Sequence, residues 1–121
     1  MIDFDATALD DFLAVDTASP VVMLNLLRFV PDGAAKYQDY IEQFTLSGIA
    51  KKYDVEIVYG GVGGVPLAAE TGQDWDMVAL VRYPSRRHFV EMVNDPDYQR
   101  FEHLRRAALV EAVLQPTTPI G

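Results

Sequence analysis

Pro20-Val21-Val22-Met23-Leu24-Asn25-Leu26-Leu27-Arg28-Phe29 is the stretch that decides the fold. From Val21 to Phe29 both alternating sets of positions are apolar, which is how a strand in the middle of a covered sheet reads. One amide, Asn25, interrupts the run. Upstream, Asp5 to Ala18 reads as a short helix, with Asp5 or Thr7 as its cap and Leu9, Phe12 and Leu13 at helical spacing. Ser19-Pro20 ends it, because the residue before a proline avoids helical backbone. Downstream, Pro31-Asp32-Gly33 is a turn. Ala34 to Tyr53 then sets Tyr37, Tyr40, Ile41, Phe44, Gly48 and Ile49 on one face of a single long helix. Gly48 on that face is expected to let a neighbouring element approach closely.

Val55 to Gly61 reads as a second strand with Val55, Ile57 and Tyr59 on one face. The glycine cluster Gly60-Gly61-Val62-Gly63-Gly64 follows, then a short extension from Val65 to Glu70 and a turn at Thr71-Gly72-Gln73-Asp74. Trp75, Met77, Ala79, Val81 and Tyr83 alternate along a third strand. Ser85 caps a helix from Arg86 to Val93. Asn94-Asp95-Pro96-Asp97 stops it and starts another, through Tyr98, Phe101, Leu104 and Ala108. Val110 to Leu114 reads as the last strand.

After the first helix the order is strand, helix, strand, strand, helix pair, strand. That is the split β-α-β plan of a ferredoxin-like α+β domain, an antiparallel sheet with helices on one face. Residues 1–19 then form an N-terminal helical extension on a domain of residues 20–121. The other sheet face is left apolar, so a homodimer packed sheet on sheet is expected.

The chain has 121 residues, a single domain's length, with 10 basic and 18 acidic side chains and a net charge of −8. Such a balance argues against nucleic acid as a partner, which calls for a basic stripe. There is no cysteine, hence no disulfide, thiolate nucleophile or cysteine-based metal site. No apolar run is long enough to cross a membrane. The first residues, Met1-Ile2-Asp3-Phe4-Asp5, lack the basic start and apolar core of a secretory leader, so a cytoplasmic location is expected.

The ordered set of these pieces resembles the DUF1330 family. Pro20 to Phe29 is similar to its opening strand. Tyr37 and Tyr40, the glycine cluster, Trp75-Asp76, Tyr83-Pro84-Ser85-Arg86, and Asn94-Asp95-Pro96-Asp97-Tyr98-Gln99 with Arg105 also fit. The similarity runs from about Pro20 to Leu114. It implies a dimeric α+β barrel, as in the wider superfamily that holds antibiotic-biosynthesis monooxygenases and haem-degrading enzymes. It implies no reaction, since fold does not carry function with it.

Asn25 is the most informative polar residue. Buried, its amide needs partners. It serves either as a ligand-binding or oxyanion-stabilising amide in a pocket, or as a structural bond to a neighbouring helix or loop. Arg28 and Arg82 sit near opposite ends of two strands expected to be neighbours. Arg105 follows Phe101 by one helical turn, where a guanidinium either grips a carboxylate or enolate by two parallel bonds or pairs with an acidic residue at the rim. Tyr40 and Tyr98 are the phenols expected to wall a pocket, with Arg82 beside them as a further substrate-binding candidate. A tyrosine or His103 is the candidate for moving a proton, and Asn25 and Arg105 for polarising a carbonyl or anion.

Other chemistries find less support. His88 and Glu91 share a helical face, but two histidines on different helices among many arginines make a poor metal site, so no metal is expected. Neither a P-loop nor a dinucleotide fingerprint occurs, because Pro66 stands where the third glycine belongs. No Gly-x-Ser-x-Gly is present, and no motif argues for a haem, a flavin or any other cofactor. Three functions remain: a small-molecule enzyme, a non-catalytic ligand binder, or a purely structural dimer.

Overall fold

A computed structural model describes residues 4–120. The elements in chain order are α1 (Ala6–Val15), β1 (Val21–Phe29), α2 (Gly33–Leu46), α3 (Ile49–Lys52), β2 (Glu56–Val62), β3 (Met77–Tyr83), α4 (Arg86–Val93), α5 (Pro96–Gln99), α6 (Glu102–Ala108) and β4 (Leu109–Thr117). The four strands form one antiparallel sheet in the order β2-β3-β1-β4. This is the ferredoxin-like α+β arrangement. The apolar strand β1 lies between β3 and β4, which is why its two faces both exclude charge until Arg28.

Burial alternates along β1. Val21, Met23, Asn25 and Leu27 are buried and join the core with Tyr37, Tyr40, Ile49, Phe89 and Met92 from the helices. Val22, Leu24 and Leu26 stay half-buried on the opposite face. They share that face with Val78, Leu80 and Arg82 of β3, their partners in register.

Several local expectations change. The long helix expected from Ala34 to Tyr53 is two helices, because Gly48 adopts a left-handed φ of +81°. Open space surrounds the position a Cβ would take there, so Gly48 serves the bend and not a close approach. Ile49 resumes the buried face after the bend, which is why the periodicity ran through it unbroken. The helix expected after Pro96 likewise divides into α5 and α6. In β2 the register shifts between Ile57 and Tyr59, so Ile57 faces Val81 and Tyr59 faces Leu80 on the other side of the sheet. The expected sharing of one face by these residues ends at that bulge. No strand forms over Val65 to Glu70, and β3 starts at Met77, after Trp75. β4 runs on to Thr117, and its Pro116 is tolerated because β4 is an edge strand.

The glycine cluster serves close backbone approach. Gly63 donates its N–H to the Asp76 carbonyl at 2.9 Å, and a Cβ on Gly63 would collide with the carbonyl oxygen of Trp75. Arg28 clamps the same loop. Its guanidinium pairs with Glu111, donates to the carbonyls of Gly72 at 2.9 Å and Asp74 at 2.7 Å, and lies 4.7 Å from the Trp75 ring centre. A second charged junction ties α3 to the start of α5. The buried Asp95 carboxylate accepts from Lys52 Nζ at 2.7 Å, Tyr53 Oη at 2.6 Å and the Asp97 N–H at 2.8 Å. These bonds, that of Lys52 first, hold its carboxyl down to about 2.

Candidate functional site

Side chains do not fill all the space between sheet and helices. A cavity of about 680 Å³ remains on the buried face of β1 and β3, within the size range of small-molecule sites. Asn25 reaches it from the middle of β1 and Tyr83 from the end of β3. Tyr37 and Tyr40 come from α2, one turn apart, Tyr98 from α5 and Arg105 from α6. Ile41, Phe44, Val81, Met92 and Leu114 supply apolar wall.

The phenols form a linked group. Tyr40 Oη and Tyr98 Oη are 2.9 Å apart and hydrogen bonded. The Tyr40 ring meets Phe44 edge-on at 5.1 Å and Phe101 at 5.8 Å, so packing holds the hydroxyl in place. Burial raises the pKa of Tyr37, Tyr40 and Tyr83, and pushes Tyr98 up to about 12. The Arg105 guanidinium opposes the shift at each of the four without cancelling it. At neutral pH these groups are therefore protonated donors and not bases.

Arg105 Nη2 is shut off from solvent and has no hydrogen-bond partner, the only such side-chain atom among the described residues. The other charges along the cavity are engaged. Glu102 accepts from Arg106 Nε at 2.6 Å, and Asp5 caps α1 by accepting from the Ala8 N–H at 2.9 Å. Asn25 donates from Nδ2 to the Met23 carbonyl at 3.3 Å, two residues back on its own strand. The structural alternative, a bond from Asn25 to a neighbouring helix or loop, is not the bond observed.

One wall comes from the N-terminal helix. Phe4, Asp5, Ala6 and Leu9 line the cavity, although α1 contains no buried residue. Its attachment is to α4: Phe12 meets Phe89 edge-on at 5.5 Å, and the Arg86 guanidinium lies 4.5 Å from the Phe12 ring centre.

The cavity thus brings together Asn25, Tyr40, Tyr98 and Arg105. It does not bring in the other two candidates. His103 is exposed on the outer side of α6, beside Gln43, Ser47 and Asp97. Arg82 lies on the opposite face of the sheet, because it alternates with Val81 and Tyr83. His88 is occupied elsewhere, with Nδ1 2.7 Å from Ser85 Oγ. Two cavity residues, Tyr37 and Tyr83, did not stand out from the other tyrosines in sequence. Tyr37 was signalled by its position one turn before Tyr40, and Tyr83 by its place in the alternation of β3. Among the described residues no group of three or more His, Asp or Glu side chains is placed to hold a metal ion. No helix among them is long and apolar enough to cross a membrane.

A family model for a domain of unknown function, DUF1330, matches residues 28–115. The crystal structure of RPA0582, a protein of unknown function from Rhodopseudomonas palustris, is 31% identical, with a TM-score of 0.85 over 99% of this chain and 97% of that one. A cofactor-independent oxygenase from Streptomyces nogalater is 14% identical, with a TM-score of 0.54 over 86% of this chain and 96% of that one. A dimeric ferredoxin-like protein of unknown function from Thermobifida fusca is 14% identical, with a TM-score of 0.53 over 84% of this chain and 92% of that one. At that identity the last two share the fold alone. No curated protein matches the sequence.

Proposed function

The chain belongs to the DUF1330 family, and we propose that it binds or acts on a small organic carbonyl or carboxylate compound in the cavity between sheet and helices. One observation carries this reading. Arg105, with a buried nitrogen that has no partner, lines a cavity shared with the Tyr40–Tyr98 pair and Asn25. A buried guanidinium nitrogen without a partner is costly to a fold, and a ligand oxygen would supply the partner that Nη2 lacks.

As an enzyme, the protein would use Arg105 and Asn25 to stabilise negative charge on a substrate oxygen. Tyr40 or Tyr98, held protonated by burial, would donate the proton. Of the two expected proton carriers, a tyrosine or His103, the phenols are the ones at the cavity, since His103 lies outside it. A reaction without a bound cofactor, like that of the oxygenase from Streptomyces nogalater, is compatible with this donor set. One feature favours the non-catalytic binder: the cavity lining holds no histidine, and its two carboxylates are already engaged.

The same proposal makes the protein a cytoplasmic homodimer, with residues 1–19 as an extension on the domain of residues 20–121. Support for the dimer comes from the half-buried apolar face of Val22, Leu24, Leu26, Val78 and Leu80, which asks for a cover of the same kind. The dimeric relative from Thermobifida fusca has a related fold.

Native mass spectrometry of the purified protein tests the reading. The expected result is twice the 13.5 kDa of one chain, carrying a small-molecule adduct that Asn25→Ala and Arg105→Ala lose. Substrate turnover that these variants abolish would assign the enzyme over the binder. A bare monomer would count against both the dimer and the ligand.

A further inference from the structure

The charge arrangement of the cavity narrows the ligand further. Four charged side chains line it: Asp5, Glu102, Arg105 and Arg106. Asp5 caps a helix and Glu102 holds Arg106, so their charges are committed. Arg105 is the one whose guanidinium nitrogen has no partner. The remaining polar groups, four neutral phenols, the Thr45 hydroxyl and the amides of Asn25, Asn94 and Gln99, bring hydrogen-bond donors without charge. A cationic ligand would face Arg105 with no free anion to meet it. A neutral ligand would leave the guanidinium without its counter-charge. A dianion would bring its second charge towards Asp5, Glu102 and apolar wall. A chain of net charge −8 supplies no general attraction for anions, so the attraction must come from the site itself.

We propose, resting on the ligand-cavity reading above, that this site is built for an organic monoanion: one carboxylate or enolate seated at Arg105, carried on an apolar body. The anionic head takes charge-assisted bonds from the guanidinium and neutral donation from the phenols. The body lies along Ile41, Phe44, Met92 and Leu9. The cavity's 680 Å³ exceeds what a simple anion such as acetate fills, so selectivity should rise with the apolar part of the acid.

Calorimetric titration with two matched pairs tests this: octanoate against octanamide, and 4-phenylbutyrate against 4-phenylbutanamide. Each pair keeps the body and changes only the charge of the head. In the wild type each acid should bind at least about tenfold more tightly than its amide, the scale of one charged hydrogen bond. In Arg105→Met, which keeps an unbranched apolar side chain, that preference should vanish while amide binding persists. Arg105→Lys should restore part of it, because the charge returns without the planar fork. Circular dichroism of each variant establishes that it is folded. Equal binding of acid and amide in the wild type would overturn the monoanion assignment and leave the cavity reading standing. A preference that survives Arg105→Met would overturn the role of Arg105. Binding of none of the four probes would remove the cavity reading and this inference together.

Discussion

Arg28 and Arg105 stand on opposite sides of the same sheet, and the fold treats them in opposite ways. Arg28 finds a carboxylate, two carbonyls and an indole face, and with them fastens the loop that leads into β3. Arg105 is turned into a cavity among phenols with a nitrogen left unmatched. In sequence neither announces its fate: Arg28 stands between Leu27 and Phe29, and Arg105 between Leu104 and Arg106. What separates them is the set of residues brought together from distant parts of the chain. Both terminal nitrogens of Arg28 are used within the fold, whereas Nη2 of Arg105 is buried without a partner, and on that difference the proposed ligand site rests.

The largest test of this contrast concerns the two faces themselves. A charge placed on the open face, Leu80→Arg, should abolish the proposed dimer while leaving the monomer folded, as read by sedimentation and circular dichroism. A dimer that survives would mean that the apolar face is not the contact. Next in size is the pair of arginines. Arg28→Ala should cost about 2 kcal/mol in urea unfolding, since it removes several charged hydrogen bonds and a ring contact. Arg105→Met should leave stability within about 0.5 kcal/mol of wild type or raise it, because no bond from Nη2 is lost and a buried charge is relieved. Equal losses in both would erase the distinction. The last test, confined to acid pH, concerns Asp95, which like Arg28 has its partners in place. Its folded pKa is held near 2, below the ordinary 3.8. Its contribution to stability is therefore complete above pH 3.8 and is lost as the pH falls towards 2. Acid unfolding of Asp95→Asn should lack that component.

Much of the fold was legible because it rests on period and punctuation. The doubly apolar β1, the alternation of β3 and the Asp95-Pro96 start of α5 each declare themselves within ten residues. The ends of elements were less so. Gly48 breaks a helix whose apolar face continues beyond it, so the periodicity hid the bend. The bulge in β2 depends on pairing with β3, which no local pattern encodes. At the site, Asn25 was legible as an amide in an apolar strand, Tyr40 and Tyr98 as phenols suited to a pocket wall, and Arg105 by its place one turn after Phe101 and by the family resemblance. His103 and Arg82 were not excluded in advance, because which side of a short helix or strand faces the core depends on packing. The α1 wall of the cavity was invisible for a different reason. Its residues are held against the cavity by contacts with α4 more than seventy positions away in sequence.

That wall has a consequence for how anything enters. The cavity is enclosed by elements of very unequal anchorage, and among its helices α1 alone has no buried residue. Local opening costs least where the fewest contacts break. For the proposed ligand, the rate of exchange would then be governed by fraying of α1 and not by the stability of the domain. A mutation at Phe12 or Arg86 would alter residence time while leaving the depth of the binding well almost untouched.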